Sequence, residues 1–143
     1  MYDEILFPTD GSDGATAALD HVIEQARAHD ASVNVLFVVN TTYLGGGAAE
    51  GTTIETLRTS GREAVADAVE RLEDAGLDAE GEVREGGPYK QILDHADAVA
   101  ADMIVMGTHG RRGIDRYLLG SVTEKVVRTA DAPVLTVRVS DAV

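Results

Sequence analysis

The sequence predicts an α/β domain: a mostly parallel five-stranded sheet with four helices divided over its two faces. Two observations predict it. Short runs that would be apolar on both faces alternate with longer segments that are apolar on one helical face only. The order is β-α-β-α-β-α-β-α-β throughout, without an internal repeat or a tract of linker composition, which implies right-handed crossovers between parallel strands.

The elements follow in order. Ile5, Leu6 and Phe7 make a buried-strand run that stops at Pro8. Ala18, Leu19, Val22, Ile23 and Ala26 then form one face of a helix that Ser12 or Asp13 can cap. Val33 to Val39 is a longer strand rich in β-branched side chains. The second helix carries Leu57, Ala64, Val65, Ala68, Val69 and Leu72 and ends before Gly76. Ala79 to Arg84 is the weakest strand pattern, and Pro88 suits the first turn of a third helix bearing Ile92, Leu93, Ala96, Val99 and Ala100. Met103 to Met106 is the fourth strand. A fourth helix starts at Gly120 or Ser121 and buries Val122, Val126 and Val127, and the fifth strand, Val134 to Val139, follows Pro133.

Composition bounds the function. A chain of 143 residues reads as one domain spanning 1–143, long enough to bury about two-thirds of its unfolded surface. With no cysteine, disulfides, thiol catalysis and Cys-zinc sites are excluded. The start MYDEILFPTD is acidic where a signal peptide would be basic, and no apolar stretch approaches the roughly 20 residues of a membrane helix, so a soluble cytoplasmic protein is expected. The formal charge of -13, with lysine only at Lys90 and Lys125, points to a salt-loving host. It also disfavours generic binding to nucleic acid or to an anionic membrane.

Ligands of such sheets bind beyond the carboxyl ends of the strands, where the winding direction reverses. That rule nominates Pro8 to Asp13, Asn40 to Thr52 and Gly107 to Gly120, the last two longer than the roughly two to six residues usual for a strand-to-helix turn. In the third loop Gly107 and Gly110 permit unusual backbone angles and close approach, and Gly120-Ser121 opens a helix whose first N–H groups point outward. This is a backbone cradle for phosphate, with the Ser121 and Thr123 hydroxyls as additional donors. From Gly107 to Lys125 four basic residues, Arg111, Arg112, Arg116 and Lys125, face two acids, a local balance of +2 that leaves -15 for the rest of the chain. A basic island in an acidic protein attracts an anion.

The spacing Gly107-x2-Gly110-x9-Gly120-Ser121 resembles the nucleotide-binding pattern of the universal stress protein family, in its ATP-binding branch. The resemblance extends to ILFPTDGS at residues 5 to 12, LFVVN at the end of strand two, IVMGTHGRRG, LLGSVTEKVV and APVLTV at residues 132 to 137, and so covers nearly the whole chain. It implies a Rossmann-like (adenine nucleotide alpha hydrolase-like) domain, a homodimer, and ATP across the strand ends, with AMP or ADP as alternatives and Mg2+ as a companion. It implies a role in stress response or signalling with an unidentified protein partner, and, with the acidity, a halophilic archaeal source. By residue, Pro8, Thr9 and Asp10 lie beside the nucleoside, with Asp10 near the ribose or a bound metal. The backbone of Val38 meets adenine, Met106 and Gly107 sit under ribose and phosphates, and Gly110, Gly120, Ser121, Val122 and Thr123 hold the phosphate chain.

Other chemistry fits less well. Asp10 and Asp13 are three apart with Pro8 interrupting the strand, whereas a haloacid-dehalogenase pair is two apart, and the Asp and Lys of a response regulator are missing. Gly46 to Thr52 lacks a P-loop lysine, and neither a dinucleotide fingerprint nor GxSxG occurs. His21, His29 and His95 fall on helices without metal spacing, while His109 sits in the glycine loop, where a phosphate contact is open to it. No residue stands out as a base to activate water, so catalysis is at most weak ATP hydrolysis. Strand five is an apolar edge, and two-fold pairing with its copy would cover it, as the resemblance also implies.

Overall fold

The computed structural model describes residues 2–41, 48–107 and 121–138. Their elements are β1 (Glu4–Pro8), α1 (Asp13–His29), β2 (Ser32–Asn40), α2 (Ala48–Asp74), β3 (Ala79–Gly86), α3 (Pro88–Ala98), β4 (Met103–Gly107), α4 (Ser121–Thr129) and β5 (Val134–Val137). The sheet has the order β3-β2-β1-β4-β5, with every neighbouring pair parallel.

Alternation along each strand divides the core in two. Ile5 and Phe7 point with Val33, Val35 and Val105 into a layer under α1 and α2, where Val22, Ala26, Val65 and Leu72 meet them. Leu6, Leu36, Ile104 and Met106 point the other way, against Ile92 of α3 and Val126 of α4. Phe7, Ile5, Leu6, Leu36 and Ile104 are fully buried, each contributing about 1.5–3 kcal/mol relative to exposure.

Of the two candidate caps Ser12 takes the role, its hydroxyl accepting from the Ala15 amide at 3.2 Å. Gly76, at φ 88°, closes the turn after α2 as expected, its N–H bonded to the Glu73 carbonyl at 2.9 Å.

Four boundaries differ from the sequence reading. First, α2 begins at Ala48, so residues 48–52 are helix and not loop: Ala48, Ala49 and Glu50 are good formers, and extending a helix already nucleated outweighs Gly51 and two threonines. Second, β3 is a full strand of 8 residues. Its pattern is weak because Gly81 lies under α2, where a Cβ would come within 2.0 Å of Val65 Cγ1, and because Glu80, Glu82 and Glu85 are exposed. Third, α3 ends at Ala98, with Ala100 exposed at φ 55°; the buried positions on this helix are Ile92 and His95. Fourth, Val127 is 45% exposed, because Thr123 and Val126 fix the inward face of α4 and Val127 is rotated off it. The expected Val139 end of strand five lies outside the described residues, β5 being Val134–Val137.

The two sheet edges differ in chemistry. β3 presents Glu80, Glu82 and Glu85, with Glu85 paired to Arg58 of α2, whereas β5 presents Val134, Leu135 and Thr136, all half-buried.

Candidate functional site

Winding reverses between β1 and β4: from β1 the chain builds outward through β2 to β3, then returns to place β4 on the opposite side and continues to β5. The β1–β4 ladder runs only from Ile5–Met103 to Leu6–Ile104, although β1 continues to Pro8 and β4 to Gly107. The two strands therefore part toward their carboxyl ends, and a crevice opens at the reversal.

A second step adjoins it. β1 pairs with β2 only as far as Pro8–Leu36, while β2 stays paired with β3 to Asn40–Gly86. The Thr9 amide donates to the Leu36 carbonyl at 2.8 Å, so Leu36 turns its peptide groups toward β1. In a parallel strand alternate residues bond to the same neighbour, and the next such residue is Val38. Its N–H and C=O face the side from which β1 has withdrawn, with no strand partner there among the described residues. The Val38 side chain packs on the α3–α4 face, beside the core group that contains Met106.

The turn after β1 is held by its own side chains. Thr9 Oγ1 accepts from the Gly11 amide at 3.0 Å, and Asp10 Oδ1 accepts from the Ser12 amide at 2.9 Å. Gly11 adopts φ 78°, the left-handed conformation that glycine takes without strain. Asp10 is exposed at the mouth of the crevice, and its Oδ2 has no hydrogen bond among the described residues. A cavity of about 100 Å3 lined by Phe7, Ala15, Leu19 and Ala64 lies nearby between α1 and α2, on the sheet face opposite Val38 and Met106.

Across the crevice, Gly107 ends β4 against the first turn of α1. A Cβ there would stand 3.1 Å from the Gly14 carbonyl oxygen, so the lack of a side chain is what allows the approach. Thr123, in the first turn of α4 and only 4% exposed, donates its hydroxyl hydrogen to the Gly107 carbonyl at 3.1 Å. Its one hydroxyl hydrogen is thereby engaged within the fold. Ser121 is exposed at the start of α4, where the first N–H groups have no intrahelical acceptors. Glu124, also in the first turn, is turned to Arg128 at 2.9 Å.

The structure thus gathers Pro8, Thr9, Asp10, Val38, Met106, Gly107 and the Ser121-Val122-Thr123 turn at the carboxyl end of the sheet. Gly110, Gly120, His109, Arg111, Arg112 and Arg116 lie outside the described residues, as does the Gly45-Gly46-Gly47 stretch. Gly14 was not singled out from the sequence; its signal is a glycine, a poor helix former, in a first helical turn. Among the described residues no group of three or more His, Asp or Glu is arranged to hold a metal ion, and no helix is long and apolar enough to cross a membrane.

The helical histidines are accounted for by packing. His21 is exposed, and His29 meets Tyr2 edge to face at 4.8 Å. His95 is buried, and burial holds its pKa below the usual histidine value. Its Nδ1 lies 3.2 Å from Arg84 Nη1, and because a guanidinium can only donate, Nδ1 is the acceptor and the neutral ring carries its proton on Nε2.

Known proteins share this fold. Residues 1–138 match the model of the Universal stress protein family. Universal stress protein MJ0531 of Methanocaldococcus jannaschii is 40% identical over 141 residues, covering 96% of this chain and 83% of its own length. The structure of the hypothetical protein MJ0577 of the same organism superposes with a TM-score of 0.91 at 31% identity, covering 99% of both chains. A universal stress protein crystallised in complex with cAMP is 30% identical, with a TM-score of 0.75, covering 97% of this chain and 99% of that one. With the same fold and a match along nearly its whole length, the chain belongs to the universal stress protein family.

Proposed function

We propose that this universal stress protein binds ATP, or another adenine nucleotide, in the crevice between β1 and β4 and acts in stress response or signalling as a cytoplasmic homodimer. The observation that carries the reading is the pair of steps at the winding reversal: a base-sized backbone edge at Val38 on one side and the α4 N-terminus on the other. Adenine is read by the outward N–H and C=O of Val38, a peptide edge that selects a planar ring with adjacent donor and acceptor. The ribose lies over Met106 and Gly107 beside Thr9 and Asp10. The phosphates run to the amides of Ser121 and Val122 and the favourable end of the α4 dipole, with Gly110, Gly120 and the loop arginines completing the cradle. Mg2+ fits as a partner of the phosphates, with Asp10 Oδ2 available to it or to the ribose. The cAMP complex of a 30% identical relative supports an adenylate as ligand.

The test is twofold. A mass spectrum of small molecules released from the purified protein should contain an adenine nucleotide. ATP with magnesium in high salt should raise the melting temperature, corresponding to about 2.7 kcal/mol at 100 times the dissociation constant. An unmoved melting temperature rejects the reading. The apolar edge of β5 favours a second role, a nucleotide-independent dimeric module; under that role Gly120→Val leaves partner binding intact, whereas nucleotide control predicts its loss. A slow ATPase would require phosphate release well above that of Asp10→Asn.

A further inference from the structure

We propose that the Thr123 side chain positions the phosphate end of the site and that its hydroxyl is not itself a phosphate donor. The inference rests on the nucleotide reading above and goes beyond it. The buried Thr123 hydroxyl gives its single hydrogen to the carbonyl of Gly107, and a carbonyl can only accept, so the direction of this bond is not open to choice. What remains on Oγ1 is lone-pair density, which repels a phosphate oxygen. The same bond joins the last residue of β4 to the first turn of α4 across an interval of 16 residues. Gly107 is packed on its other side against the Gly14 carbonyl of α1. The end of β4 is therefore held from both sheet faces, and Thr123 fixes where the first N–H groups of α4 stand relative to the crevice. An anion site made from backbone is only as good as the placement of its N–H groups, because hydrogen bonds weaken steeply once distance and angle drift.

The experiment compares Thr123→Val, which keeps the shape and loses the bond, with Thr123→Ser, which keeps the hydroxyl, using ATP and adenosine as ligands in titration calorimetry. Thr123→Val should weaken ATP about tenfold and adenosine less than twofold, while Thr123→Ser restores ATP affinity to within about threefold of the wild type. The ATP-to-adenosine ratio is unaffected by partial unfolding, which lowers the active fraction for both ligands alike. In the wild-type protein, the Thr123 hydroxyl proton should show coupling to the Gly107 carbonyl carbon by NMR, without ATP and with it. Equal ATP affinity in Thr123→Val, or transfer of the hydroxyl coupling to phosphorus on ATP addition, overturns the proposal while leaving the nucleotide reading standing. Failure of the wild type to bind ATP or adenosine rejects the nucleotide reading and this role with it.

Discussion

The two ends of the sheet treat charge in opposite ways. At the carboxyl end, the polar side chains beside the crevice among the described residues are hydroxyls and Asp10, and Thr9, Asp10 and Thr123 all hydrogen-bond to backbone. At the amino end, Glu4, Glu73, Asp78 and Glu80 line a cleft of about 550 Å3, with Asp102 close to Glu4. There burial holds the Glu4 carboxyl above the usual glutamate range, and Glu80 and Asp102 push it the same way, against a hydrogen bond from Asn34. Asp102 is put to structural use, its Oδ2 accepting from the amides of Asp3 and Glu4 at 2.9 and 3.1 Å. In a chain of formal charge -13, four carboxylates thus line a single cleft at the amino end of the strands.

The strongest way to break this contrast is Gly107→Val. Its side chain must displace the Gly14 carbonyl, and overpacking of this kind costs about 2–3 kcal/mol. Urea unfolding should show that loss, and ATP should no longer protect the variant; unchanged stability would mean that α1 and β4 are not in close contact at the reversal.

Asp102→Ala acts at the other end only. Removing the acceptor of two backbone amides should cost about 1–2 kcal/mol in the same assay while the ATP-induced stabilisation keeps its wild-type size. A reduced ATP effect would show that the two ends are coupled.

Sequence legibility follows the same division. The order of elements, a cap at Ser12 or Asp13 and the Gly76 turn were readable because periodicity and capping are local properties. So was the gathering of Thr9, Asp10, Gly107 and Ser121 at one end, because their spacing to strand ends identifies that end. The ladder's early stop at Leu6–Ile104 and the overhang of β2 beyond β1 were not readable, since both depend on register between strands distant in sequence. The Thr123 bond escaped for the same reason: its partner, Gly107, is 16 residues away and on another element. Gly81 weakened the β3 pattern, and only the position of Val65 above it explains why the strand tolerates a missing side chain.

The smallest predicted effects concern pH, and they have opposite signs. Glu4 has a raised folded pKa, so folding is penalised while it is charged, and stability should rise as acid titrates it from neutral pH toward the ordinary glutamate range. Glu4→Gln should therefore be slightly more stable at neutral pH, by less than about 1 kcal/mol, and should lose that rise. His95 has a lowered folded pKa, so its neutral form favours the native state, and stability should fall as pH drops below the ordinary histidine value of about 6.5. His95→Gln should flatten this branch. Thermal melts at matched ionic strength from pH 8 to 4 separate the two, and a His95→Gln profile as steep as the wild type would show that this ring does not titrate in that range.

The unequal edges of the sheet bear on stoichiometry. Strand addition at β3 would bring Glu80, Glu82 and Glu85 up to another chain's backbone, and in a pairing of two β3 strands the same carboxylates would meet their own copies. β5 carries no such fringe between Val134 and Val137, so when two copies join there, each has consumed its permissive side. Were two copies to pair through β5, growth by edge addition would end at two subunits.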